Sequence, residues 1–153
     1  MAHGAQVRKY SGRPYVQHPI SVSEIVSSVD HTPEMIAAAL LHDVVEDTNI
    51  TLDDIREKFG DTVAEYVYFL TDISKPEDGN RAVRKKIDAD HNASGPAEVH
   101  TIKVADLIDN SKDIAENDPN FWKVYKAEKA YSLSVLTKAD PKLIEIAKKL
   151  VEC

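Results

Sequence analysis

Four ionisable side chains fall close together in His42-Asp43-Val44-Val45-Glu46-Asp47, directly after the apolar run Met35 to Leu41. Successive helical residues are ~100° apart, so on a continuing helix His42 lies under Glu46 and Asp43 under Asp47. Burying such charges without partners costs several kcal/mol. They are therefore either solvated at a helix end or arranged around a cation. An isolated His-Asp dipeptide is most often just a surface helix end. Two more residues shift that balance. His18 stands just before Pro19, at the start of another expected helix. Asp106 sits in Ile102-Lys103-Val104-Ala105-Asp106, where an acid among apolar neighbours needs a reason. His18, His42, Asp43 and Asp106 would offer imidazole nitrogens and carboxylate oxygens from three helices. That donor set suits a borderline divalent metal, and the lack of thiolates disfavours softer ions. Four protein ligands leave positions for water and substrate. Such an ion lowers the pKa of its water and supplies a hydrolytic nucleophile near neutral pH.

The elements that must position these residues are helices joined by short loops. Ser11-Gly12-Arg13-Pro14 reads as a turn after the end of a first helix over residues 1–9. A helix is expected from near Pro19 to about Ser28. Thr32-Pro33-Glu34 reads as an N-cap, a first-turn proline and an early acid. The helix it opens is apolar almost all round and is expected to be the buried central one. Thr51 and Asp54 form a capping box, Gly60 ends that helix, and Asp61 can cap the next. A loop at 74–80 leads into a basic helical patch, Arg81, Arg84, Lys85 and Lys86. Pro96 opens a long helix to about Ile114, and two more helices are expected near 119–138 and 141–152. Strand-like alternation is absent over any useful length. The class is all-α, a single domain of about eight helices over residues 1–153.

Composition narrows the function. The chain of 153 residues carries 26 acids against 19 bases, a net charge of −7, which disfavours a general nucleic-acid surface. It does not disfavour a small anion, because a metal and local cations can reverse the potential inside a cleft. No run approaches the ~18 apolar residues of a membrane span, and the N-terminus lacks a signal-peptide core. The one cysteine is Cys153, so no disulfide framework or thiolate site is expected, and the cytoplasm is the expected compartment.

The order His18, His42-Asp43, Asp106 resembles the H…HD…D signature of HD-type metal phosphohydrolases. The flanking residues are more specific. His3, Gln6, Arg8, Lys9, Gly12, Pro14, Tyr15, His18 and Pro19 resemble the opening of the RelA/SpoT hydrolase domain. So do Ala37 to Thr48, Phe59-Gly60, Thr71-Asp72 and Ile102 to Asp106 with Asn110. The match covers about residues 3–115. It leaves no expected room for a synthetase or regulatory domain, as in small stand-alone alarmone hydrolases of the metazoan SpoT homologue type.

That resemblance implies an HD helical bundle that hydrolyses the 3′-pyrophosphate of (p)ppGpp to GDP or GTP and pyrophosphate. It implies one manganese ion on His18, His42, Asp43 and Asp106, with Glu46 and Asp47 as the catalytic acidic pair. A carboxylate there can orient water and accept its proton. Arg8 and Lys9 would contact the guanine and phosphate side, and Asn110 the nucleoside. Lys103 and Lys112 are further candidate phosphate contacts. The partner is then a small anionic nucleotide, with no nucleic acid and no membrane; a homo-oligomer is left open. Leu107 departs from the pattern, since the family usually places a basic residue after the fourth ligand. Asp109 and Asp113 add acids to the same helix. These departures predict weaker attraction for a highly phosphorylated ligand, relieved by Leu107→Arg. Rival readings are an HD phosphohydrolase of another phosphorylated nucleotide (an NADPH 2′-phosphatase or nucleotidase) and a non-catalytic alarmone-binding module.

Other residues take plainer readings. Phe121, Trp122 and Tyr125 are expected to pack the core or groove. His31, His91 and His100 are expected at the surface or around the ligands. The patch at Arg81, Arg84, Lys85 and Lys86 reads as a solvated face that could reach over the cleft.

Overall fold

The structure, a computed structural model, describes residues 17–152. The first expected helix, with Arg8 and Lys9, lies outside the described residues. Among those described, every regular element is helical: α1 (Gln17–Ser27), α2 (Pro33–Leu41), α3 (Val44–Asp47), α4 (Leu52–Phe59), α5 (Asp61–Leu70), α6 (Arg81–Ala93), α7 (Ala97–Asn117), α8 (Pro119–Val135) and α9 (Pro141–Glu152), with a 3₁₀ turn at Pro76–Asp78. Eight of these run two turns or more, in keeping with the sequence reading.

Local chemistry sets the boundaries. Thr32 Oγ1 accepts from the Met35 amide at 3.3 Å and starts α2. Thr51 and Asp54 make the reciprocal box of α4, at 3.2 and 3.0 Å. Gly60 ends α4 at φ 95°, where a side chain would be strained. Asp61 becomes the first residue of α5 instead of its cap, because Gly60 takes that position. Asn80 caps α6 and Asp118 caps α8.

The central helix is α7, not α2. Val99, Ile102, Val104 and Ala105 are fully buried along it, and it packs against α1, α8 and α9. Helix α2 buries Met35, Ala38 and Ala39 against α1, α5 and α7, but Leu40 is 40% exposed. It is too short for its apolar surround to be covered on all sides.

Leu107 belongs to this core, at 2% exposure. One residue along α7 is ~100° of rotation, which turns it away from the Asp106 face. The expectation that it deprives a ligand site of a cation is therefore corrected. A guanidinium replacing this leucine would have to be accommodated in an apolar core packed around Leu107. Leu107→Arg is expected to cost several kcal/mol of stability, measured as a lower midpoint in urea unfolding. A variant as stable as wild type with a lower KM would restore the sequence reading.

Candidate functional site

On α7 the residues Lys103, Asp106, Asn110 and Asp113 follow i, i+3, i+7, i+10 spacing and share one face. Asp106 is buried and is the hub. Its Oδ1 lies 2.7 Å from His18 Nε2, 3.1 Å from His42 Nε2 and 3.3 Å from Asn110 Nδ2. Its Oδ2 accepts from Lys103 Nζ at 3.0 Å. Helix α1 delivers His18 from its first turn. The other ring nitrogen of His18 faces Asp109 Oδ2 at 2.6 Å.

His42 lies where α2 passes into α3. The sequence reading of one unbroken helix is modified here. His42 Nδ1 donates to the Ala39 carbonyl at 2.6 Å, the carbonyl that the Asp43 amide would use in a continuous helix. The chain keeps near-helical dihedrals at His42 and Asp43 and resumes as the single turn α3. Glu46 then reaches the loop after α5, where its Oε1 accepts from the Asp72 amide at 2.9 Å. Asp88 of α6 fixes that loop by accepting from Ile73 N, Ser74 N and Ser74 Oγ at 2.9, 2.9 and 2.7 Å.

The donor set fits a cation. A neutral imidazole has one N–H and one lone pair. His42 uses its Nδ1–H on Ala39, so its Nε2 lone pair would face Asp106 at 3.1 Å and Asp43 Oδ2 at 3.2 Å. Both nitrogens of His18 face carboxylates. Each contact needs a proton or a metal between its atoms. The ligand atoms of His18, His42 and Asp106 all lie within 4.8 Å of one another. Two imidazole nitrogens and a carboxylate oxygen suit a divalent ion. Asp43 lines the cleft beside His42 but is outside that three-residue cluster.

The electrostatics agree. Burial opposes charge on His18, but hydrogen bonds to Asp106 and Asp109 raise its pKa to about 9. His42 is also raised, against burial, chiefly by the charge of Asp43 and the Asp106 contact. Burial favours neutral Asp106, yet Lys103 and the two imidazoles hold it well below the carboxylate range. Glu46 is exposed as a residue, but partial desolvation of its carboxyl, then the Asp72 charge, raise it to about 7.

The cluster opens into a cleft of about 320 Å³. Lys85 enters from α6 and Tyr125 and Lys129 from α8.

The HD domain family model matches residues 1–130. This chain is an HD-domain protein. It is homologous to the guanosine-3′,5′-bis(diphosphate) 3′-pyrophosphohydrolase MESH1 of Drosophila melanogaster, 39% identical over 111 residues, or 71% of this chain and 60% of that protein. With the Danio rerio MESH1 it shares 33% over 122 residues, 78% of this chain and 66% of that protein. The chain thus spans about three-fifths to two-thirds of these curated relatives. A solved structure of a metazoan ortholog of SpoT that hydrolyzes ppGpp superposes with a TM-score of 0.86 and 30% identity, covering 99% of this chain and 88% of that one.

Within the HD domain, the site candidates divide. His18, Asp43, Glu46, Lys103, Asp106 and Asn110 line the cleft, and His42 is buried behind it in contact with Asp106. Asp47, at the end of α3, is exposed and is not among the lining residues. Lys112 is exposed and lies six positions beyond Asp106, on another face of α7. His91 and His100 are buried instead of surface groups: His91 bonds the Tyr68 carbonyl, and His100 bonds the Ala93 carbonyl and the Lys138 amide. Their rings tie helix ends together. The basic patch splits, since Arg81 pairs with Glu128 and Lys86 with Asp90 while Lys85 enters the cleft. The sequence reading missed Asp88, Asp109 and Lys129. Asp109 could have been found from its i+3 spacing to Asp106; Asp88 and Lys129 carry no local signal. No helix among the described residues is long and apolar enough to cross a membrane.

Proposed function

We propose that this HD domain hydrolyses the 3′-pyrophosphate of (p)ppGpp, giving GDP or GTP and pyrophosphate. The observation that carries the reading is the buried convergence of His18, His42 and Asp106 on one point beside a cleft that Lys85, Lys103 and Lys129 help to line. The likeness to a ppGpp-hydrolysing fold supports the substrate. His18, His42 and Asp106 would hold the metal, manganese by family resemblance, with Asp43 as the fourth donor. When bound, a divalent ion activates water and offsets charge on phosphoryl oxygens.

The chain's own residues do the rest. Glu46 has its Oε1 held by the Asp72 amide, which leaves Oε2 to take the proton of the attacking water. Water attacks the phosphorus bonded to O3′ and gives a proton to Glu46, the P–O3′ bond breaks, and O3′ takes up a proton, returned from Glu46 or from solvent, to leave as the 3′-hydroxyl. Asn110 would meet the nucleoside, and Lys103 the phosphoryl oxygens. Proton handling is assigned to Glu46 alone, because Asp47 is outside the cleft lining.

The deciding experiment is chromatographic product analysis after incubation with ppGpp and manganese, with and without chelator. GDP and pyrophosphate are expected only with metal. Intact ppGpp beside cleavage of NADPH or a nucleoside monophosphate would replace the alarmone reading with a broader phosphohydrolase.

A further inference from the structure

The chain is acidic overall, yet three lysines from three helices line one cleft: Lys85 of α6, Lys103 of α7 and Lys129 of α8. Only Lys103 has a carboxylate at ion-pair distance, Asp106 Oδ2 at 3.0 Å. Among the described residues neither Lys85 nor Lys129 makes an ion pair or hydrogen bond. The recorded contact of Lys129 is with a ring: its Nζ lies 5.0 Å from the centroid of Tyr125. Their neighbours are otherwise committed, as Glu128 holds Arg81 and Asp90 holds Lys86. Two ammonium groups, Lys85 and Lys129, are thus held in the cleft with no carboxylate among the described residues at ion-pair distance, although Asp43, Glu46, Asp72, Asp106 and Asp113 line the same cleft.

We infer that Lys129, together with Lys85 and Lys103, forms a diphosphate seat beside the metal cluster. It holds the pyrophosphate that the reaction releases and favours diphosphoryl over monophosphoryl ligands. This rests on the proposed hydrolysis only for the origin of the ligand. The chemistry follows from the donors: a diphosphate spreads several negative charges over oxygens that three ammonium groups from different directions can share. Asn110, also at the cleft, adds a neutral donor.

The charge on Lys129 is labile. Burial, then repulsion from Lys103 and Lys85, push it down to about 8, against weaker attraction from Asp106 and Glu128. Tyr125, whose hydroxyl burial holds neutral, faces it from the same helix, and His18, Asp43, Glu46, Asp72 and Asp113 are the other titratable groups lining the cleft. The signs follow directly. Without metal, Lys129 is charged below about pH 8 and loses its charge above it. A divalent cation in the cleft moves that boundary down and a bound diphosphate moves it up, and anion affinity falls where the charge is lost. An arginine keeps the charge at all these pH values.

The test is calorimetry of inorganic pyrophosphate and of inorganic phosphate binding to the manganese-loaded protein, in wild type, Lys129→Gln and Lys129→Arg, at pH 7 and pH 9. Wild type is expected to bind pyrophosphate at least about tenfold more tightly than Lys129→Gln at pH 7. Lys129→Arg should stay near wild type at pH 7 and lose less affinity at pH 9, which separates the lysine from the probe's own titration. A role limited to packing on Tyr125 predicts equal affinities for wild type and Lys129→Gln, and that result overturns the seat. So does a wild type that binds pyrophosphate no better than phosphate. Pyrophosphate binding that depends on Lys129 in a protein that leaves ppGpp intact would uphold the seat and defeat the proposed hydrolysis.

Discussion

Asp106→Asn is expected to abolish hydrolysis and to lower divalent-metal affinity by well over 100-fold. Among the described residues Asp106 is the one carboxylate shared by His18, His42 and Lys103. An amide keeps the shape but removes the charge. Loss of a residue that only orients a ligand costs about 10–100-fold, so loss of a direct donor should exceed that range. Asp109→Asn supplies the internal scale, because Asp109 acts through His18 at 2.6 Å and should fall within it. Calorimetry of manganese binding gives both numbers. The same titration tests the proton balance. In chelator-treated protein His18, raised to about 9, and His42, also raised, are protonated at pH 7. Metal needs both lone pairs, so uptake should release about two protons, seen as a heat that changes with the buffer's ionisation enthalpy. Affinity should rise with pH up to about 9. Asp106→Asn protein that binds manganese like wild type would rule out the three-residue cluster.

The parts of this site that were legible in the sequence are those fixed within one helix. The Thr51–Asp54 box is local, and it formed as read. Asp106 stood out because an acid in an apolar helical stretch demands a partner. Residue type points to its partners, and His18 and His42 do meet it. What failed depended on rotation about a helix or on packing between helices. Leu107 and Lys112 draw their expected roles from the family pattern along the chain, but one points into the core and the other is exposed. The stacked pairs His42/Glu46 and Asp43/Asp47 assumed an uninterrupted helix. A single side-chain bond to Ala39 accompanies the break, and no propensity scale records it. Lys129 reaches the cleft because α8 packs beside α6 and α7. That is a tertiary fact, and nothing in its neighbours along the chain marks it.

Glu46→Gln is expected to leave metal affinity within a few-fold of wild type and to cut kcat by ~10²–10⁴, the usual loss for a positioned base. Glutamine keeps an oxygen for the Asp72 amide, so the loop pinned by Asp88 should stay in place. The pH profile then identifies the group. The Glu46 carboxyl is raised to about 7 by partial desolvation and by Asp72. A base acts only when ionised, so rate should fall as pH drops through the folded-state pKa. A divalent cation in the same cleft favours the carboxylate, which places the acid limb at or below about 7 in the loaded enzyme. Removing the Asp72 charge with Asp72→Asn takes away a repulsion and should move that limb further down. Glu46→Gln should lose the limb itself, and Asp47→Asn should keep it. A kcat unchanged in Glu46→Gln, or a limb that vanishes only in Asp47→Asn, would transfer the proton to Asp47 and require the end of α3 to turn into the cleft when nucleotide binds.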